Sequence, residues 1–154
     1  MKRALIPAAL VAAGVLAFAV VNATAGSSRK FEGGTIHVIE HATSDAVTNG
    51  TASDSAGNVL TFANDVFDSA DAKKVGTDQG YCIRIVVGKT WECNWTTFLP
   101  NGQITVEGPF SDNGDTTLAI TGGAGAYRNV RGSMELKYHN PAGTEFDFVF
   151  HLIG

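Results

Sequence analysis

From Gly102 to Gly132 the chain reads GQITVEGPFSDNGDTTLAITGGAGAYRNVRG, and no helix can be written through it. Two short alternating runs, Ile104–Gly108 and Thr116–Thr121, are followed by the opening of a third at Val130. A Pro-containing loop and the cluster Gly122, Gly123 and Gly125 lie between them. Short Thr-, Val- and Ile-rich runs bounded by Gly or Pro are strands of an antiparallel sheet. A glycine-rich turn after an apolar run also invites a phosphate-loop reading, but Gly123–Arg128 lacks the Lys-[Ser/Thr] pair and no helical pattern follows. The glycines are read instead as supplying positive φ and close strand approach.

The same pattern extends over most of the chain. Thr35–Ala42 alternates, with Ile36, Val38 and Glu40 on one face and His37, Ile39 and His41 on the other. Val59–Phe67 is a second strand. Tyr81–Val86 and Lys89–Phe98 form a hairpin, and Val130–His139 and Glu145–Leu152 alternate in turn. Ser44–Asn58 reads as loop with a weak edge strand, and Asp68–Gly80 as a polar, solvated connection. Outside the N-terminal segment no helical periodicity is sustained. The eight strands predict an all-β fold, most economically an eight-stranded antiparallel β-barrel, since closure removes exposed edges.

Residues 1–25 read as a signal peptide: Lys2 and Arg3, an apolar run Ala4–Val21, then Ala23-Thr24-Ala25 as a small-residue exit. An uncleaved anchor is the competing reading, disfavoured by Pro7 and that exit. The expected mature chain, residues 26–154, is one domain in size and is expected to be secreted, with no stable membrane insertion. Its loss of two basic residues takes the net charge from −4 to −6 (9 basic against 15 acidic). An acidic surface argues against nucleic acid as a partner.

Two cysteines in an exported chain suggest one disulfide, Cys82–Cys93. A turn at Val87-Gly88 sets them opposite each other, whereas a turn one residue later makes them diagonal and harder to bridge. No metal is expected, because His37 and His41 on a strand stand ~13 Å apart and His139 and His151 are scattered. No cofactor motif and no Gly-x-Ser-x-Gly elbow is present. Glu40 stands out as a carboxylate on an otherwise apolar face, either buried at a cost or reaching solvent at a strand end.

The segment Gly108–Gly132, GPFxxxxDTTLAITGGAGAYRNVRG, closely resembles the allene oxide cyclase family, and its glycine–aromatic spacing also resembles dirigent proteins. Thr61-Phe62-Ala63-Asn64, Val75-Gly76-x-x-x-Gly80-x-Cys82 and the closing Phe150–Gly154 extend the likeness. The resemblance implies an eight-stranded, calycin-type barrel with an apolar cavity, assembled as a homo-oligomer (dimer or trimer). It further implies cyclisation of an unsaturated fatty-acid epoxide, using a first-strand Glu, a water-holding Asn and an apolar mould. Carried over by residue, Phe62 and Asn64 match the cavity Phe and Asn, and Cys82 the cavity Cys. The family Glu aligns with Val38, leaving Glu40 two residues displaced with inward parity, and a family Tyr becomes Asn113.

Three functions follow from these readings. The first is a cyclase or isomerase acting on a hydrophobic unsaturated molecule, with Glu40 and Asn64 catalytic and Phe62, Cys82, Trp95, Phe98 and Asn113 lining the site. Its physics is an entropy trap, in which a rigid cavity pre-folds a flexible chain. The second is non-catalytic binding of a lipid or phenolic, including the dirigent mode. The third is a barrel filled by its own aromatics, Tyr127, Tyr138, Phe146, Phe148 and Phe150, which a cavity below ~300 Å³ would favour.

Overall fold

The computed structural model describes residues 33–153, so the expected signal segment lies outside the described residues. Among the described residues there are nine antiparallel strands: β1 (Gly34–His41), β2 (Ala46–Asn49), β3 (Val59–Asp68), β4 (Lys74–Val86), β5 (Thr90–Leu99), β6 (Gly102–Ser111), β7 (Thr116–Gly125), β8 (Arg131–Tyr138) and β9 (Glu145–Ile153). Each strand from β3 to β9 pairs with the next, and β1 closes the ring by pairing with both β9 and β3. This is an eight-stranded barrel with one supplementary strand. Strand β1 covers Asp65–Asp68 of β3 and the short β2 covers Val59–Thr61, so the two share one edge of β3.

The alternation sorts side chains as it must in a barrel of this size. Phe146, Phe148, Phe150 and Leu152 of β9 point inward, with Met134 and Leu136 of β8, Leu118 and Ile120 of β7, and Ile104 and Val106 of β6. Phe148 is braced by Trp95 (ring centroids 5.5 Å apart) and meets Phe150 edge-on at 6.4 Å. One end of the interior is packed solid by Ile104, Val106, Val130, Met134 and Phe150, each buried completely.

Two segments differ from the sequence reading. Asp68–Gly80 is not a solvated connection, because β4 starts at Lys74 and Asp78 lies inside the barrel, 1 % exposed. Its polar, glycine-bearing composition has a packing cause. A Cβ on Gly80 would sit 2.3 Å from Trp95 Cβ, and one on Gly76 2.1 Å from the Phe98 carbonyl oxygen, so neighbouring strand β5 admits only glycine there. The cluster Gly122–Gly125 is likewise the end of β7, paired to Gly102–Thr105, rather than a turn.

Cys82 and Cys93 are directly opposed across β4 and β5 and form a disulfide. The turn spans residues 87–89, and a bulge between Arg84 and Val86 sets the register. The closed loop is short, with 11 residues of separation. Reduction is therefore expected to lower unfolding stability by about 2–3 kcal/mol, read as the difference between denaturant melts with and without reductant.

Candidate functional site

The half of the barrel that is not packed solid holds a cavity of about 60 Å³. Leu60, Phe62, Trp91, Trp95, Phe110, Leu136, Phe146, Phe148 and the disulfide give it an apolar wall, and Glu40 and Asp45 give it an acidic side. That space is well short of the several hundred Å³ usual for a bound organic molecule.

Glu40 points inward on β1, 5 % exposed, which settles the choice between interior and solvent. It belongs to a cluster that the sequence only half disclosed. Asn64 Nδ2 donates to Glu40 Oε1 and to Asp45 Oδ1, at 2.8 Å each. Asn64 Oδ1 accepts from the Thr43 N–H, the Ser44 N–H and the Ser44 hydroxyl at 3.1, 3.0 and 2.9 Å. Those donors lie where the chain leaves β1 for β2, so the Asn64 amide ties down the break between the two strands. Both its donors and its acceptor are in use, which leaves it no free hydrogen for a water. The resemblance implied a water-holding Asn at this position, and here the amide spans Glu40, Asp45 and the Thr43–Ser44 backbone.

Asp78 completes the cluster. Its Oδ1 accepts from the Asn64 backbone N–H at 3.3 Å, its buried Oδ2 has no hydrogen-bond partner among the described residues, and the Glu40 carboxyl interacts with it directly. Burial, reinforced by the Asp78 charge, raises the Glu40 carboxyl well above the usual carboxylate range. Burial likewise pushes Asp78 up to about 7, with the charges of Asp45 and Asp65 adding to it. Two buried carboxyls that interact directly share protons instead of both ionising. At neutral pH the pair therefore keeps a proton beside an apolar space.

The other candidates divide. Phe62, Cys82 and Trp95 line the cavity, with Phe62 edge-on to Trp95 at 6.0 Å. Cys82 is bonded to Cys93 and offers no thiol. Phe98 is not in the wall. On β5 the inward positions are Trp91, Cys93, Trp95 and Thr97, so Phe98 falls on the outer face by parity. Asn113 sits in the β6–β7 turn, where its N–H bonds Ser111 Oγ at 3.2 Å, outside the cavity. Asp45, Leu60, Trp91, Phe110, Leu136, Phe146 and Phe148 also line the cavity and were not among the expected site residues. Trp91 and Phe110 follow from the inward parity of their strands, and Phe110 from the Gly-Pro-aromatic triplet itself. The Trp95 indole N–H is buried with no acceptor among the described residues.

On the outer face, His37 pairs with Asp147 at 2.6 Å and His41 with Asp71 at 2.7 Å. Among the described residues, one grouping brings metal-type ligand atoms within 4.8 Å of one another: His41, Asp71 and Glu145. The sequence reading compared histidines with histidines and did not foresee it. All three are half-exposed, and the His41–Asp71 hydrogen bond already accounts for the approach of two of them.

The site is a closed antiparallel barrel with a raised carboxyl pair set into its interior. Residues 38–152 match the family model for allene oxide cyclase, and the chain belongs to that family. Among solved structures it is similar to a pyocyanin demethylase, with 25% identity over 77% of this chain and 98% of that one at a TM-score of 0.62. It shares the fold of a pterocarpan synthase dirigent protein (23% identity, 82% and 99% covered, TM-score 0.62). The same holds for an exo-specific intermolecular Diels-Alderase (17% identity, 79% and 98% covered, TM-score 0.62). The family match is what supports a cyclase-like barrel, and the neighbours share its fold.

Proposed function

We propose that this barrel binds an unsaturated hydrophobic small molecule and promotes its intramolecular cyclisation or isomerisation. The observation that carries the reading is the buried Glu40–Asp78 pair, whose Glu40 lines a space walled by Phe62, Trp95, Phe146 and Phe148. The aromatic wall folds the substrate chain into a reactive shape, removing part of the activation entropy. Glu40, kept protonated by burial and by Asp78, donates a hydrogen bond or proton to an oxygen that gains charge as the ring closes. Trp95 adds a second donor, its indole N–H, for a substrate oxygen. Asn64 holds Glu40 in place. Admission requires the half-buried Phe62 and Leu60 to yield, since the closed cavity is smaller than any such substrate.

The test is conversion of linear polyenes and polyene epoxides, followed by chromatography and mass spectrometry. Glu40→Gln is expected to slow turnover by roughly 10²–10⁴-fold, the usual contribution of a positioned acid. Full activity in that variant would remove the acid and leave catalysis by shape alone. The small cavity, about 60 Å³, gives specific support to a second reading, a barrel whose interior is filled by its own aromatic side chains. Failure of the wild type to bind any polyene would establish it.

The chain is proposed to act after export as a self-associating barrel. Tyr81, Ile83 and Ile85 stand exposed along the outside of β4, with Val47, Val86 and Val87 beside them, an apolar patch suited to a second copy. Light scattering of the exported protein tests assembly, and its intact mass tests cleavage before Gly26. A strictly monomeric species, or a retained leader, would refute the corresponding part.

A further inference from the structure

We propose that His41, Asp71 and Glu145 bind a single Zn²⁺ ion, which clasps the seam where the barrel closes. The three side chains come from three separate places: the end of β1, the β3–β4 turn and the start of β9. Strand β1 is the closing strand, and at its end His41 lies across from Glu145 on β9 and from Asp65 on β3. One ligand atom from each of the three residues lies within 4.8 Å of the other two. Around a zinc ion with bonds of about 2.0–2.1 Å, neighbouring ligand atoms stand about 3.3 Å apart. A movement of about an ångström, shared among exposed side-chain ends, therefore completes the site.

Two of the ligands are already fixed. The His41 ring stacks on Phe67, with centroids 4.1 Å apart and planes 21° from parallel, and its Nε2 meets Asp71 Oδ1 at 2.7 Å. Asp71 sits at a φ of 52° in a turn tied by its own N–H to the Asp68 carbonyl at 2.9 Å, while Asp68 Oδ1 accepts from the Ala72 N–H at 3.0 Å. Glu145 is what the His41–Asp71 hydrogen bond leaves unexplained. Its carboxylate has no ion pair or side-chain hydrogen bond among the described residues, although it is half-buried beside a second carboxylate. Asp65 is set apart from the grouping by its own cation, Lys74 Nζ at 2.6 Å. A divalent ion satisfies Asp71 and Glu145 together. It takes the place of the proton between Nε2 and Oδ1, and the ring keeps its hydrogen on Nδ1. One imidazole and two carboxylates suit Zn²⁺ better than Mg²⁺, which takes oxygen ligands, and the half-exposed setting leaves a fourth position to water. Glu40 precedes His41 on β1, and the Thr43 and Ser44 amides that hold Asn64 follow it, so the ion would also secure the segment that carries Glu40.

The experiment strips the mature chain of metal with a chelator and titrates it with ZnCl₂, and separately with MgCl₂, by calorimetry near neutral pH. One equivalent of Zn²⁺ is expected to bind, at least tenfold more tightly than Mg²⁺. Glu145→Gln removes no side-chain contact found among the described residues, so it is expected to leave the metal-free protein as stable as the wild type while weakening Zn²⁺ at least tenfold. Asp147→Asn breaks up the neighbouring His37–Asp147–His139 grouping on the same outer face and is expected to leave Zn²⁺ affinity unchanged. At 100 times its dissociation constant, Zn²⁺ is expected to raise the thermal midpoint on the order of 10 °C in the wild type and far less in Glu145→Gln. No binding below millimolar Zn²⁺, equal affinity for Mg²⁺, or a loss on Asp147→Asn in place of Glu145→Gln would each overturn the site. Binding that leaves the midpoint unmoved would overturn the clasp. None of these outcomes depends on what the cavity binds.

Discussion

Raising the pH from about 5 to about 8 is expected to destabilise the wild-type protein by on the order of 2–4 kcal/mol, and Asp78→Asn is expected to remove most of that loss. Both carboxyls of the buried pair are raised, Asp78 from 3.8 to about 7 and Glu40 well above its own unfolded value of 4.5. The folded protein therefore holds protons that the unfolded chain has released. The resulting stabilisation is complete below about pH 4 and is lost as pH climbs through about 7. Carboxylates that folding lowers, Asp68, Glu135 and Asp147, act oppositely. They are largely exposed and their effect belongs to more acid solution, so it does not fill this window. Asp78→Asn keeps the size, removes one buried charge and supplies a donor for Glu40. Thermal melts of the two proteins across the window provide the check, with a drop on the order of 10 °C in the wild type alone. Equal flatness in both, or a uniform loss in Asp78→Asn, would show that the pair is not proton-linked.

Phe148→Ala is expected to be among the most damaging single changes, at about 3–5 kcal/mol, measured by denaturant unfolding. Phe148 is 1% exposed and holds the boundary between the solid end of the barrel and the open half, touching Trp95 on one side and Phe150 on the other. Cross-strand neighbours Val38 and Leu136 are fixed by barrel registers and cannot collapse into the gap. The same substitution enlarges the cavity. A variant that still folds is therefore expected to bind a bulkier apolar probe than the wild type does. A loss under about 1 kcal/mol would mean that the interior is loosely packed at this level.

The barrel was legible in the sequence because its signal is repeated. Each strand alternates, and an error in one leaves the others intact. The glycine-rich run showed the close approach of strands, although Gly122–Gly125 turned out to be paired in β7 rather than turning. The site was legible only in part. Glu40 and Phe62 declared themselves, one as a carboxylate on an apolar face and the other through family resemblance. Asp78 did not, because a strand with a polar inward residue flanked by glycines looks like a loop when its neighbours are unknown. What makes Asp78 an interior residue is the approach of β5 over Gly76 and Gly80 and the amide of Asn64, all distant in sequence. Phe98 erred in the opposite direction. Its hydrophobicity suggested the interior, while the parity set by Trp91, Cys93 and Trp95 puts it outside. Parity counted from the disulfide, whose two cysteines both face inward, would have placed Arg84, Trp91 and Phe98 correctly.

The Glu40–Asp78 pair is where fold and chemistry meet, and carboxyl carbon NMR reads it without assuming any substrate. Glu40 Cδ and Asp78 Cγ, followed from about pH 4 to about pH 9, are expected to titrate together, with at least one midpoint near 7 or higher. Two independent midpoints in the ordinary range of about 3–5 would mean that both groups are ionised at neutral pH, and would contradict a barrel that keeps a proton at its apolar cavity.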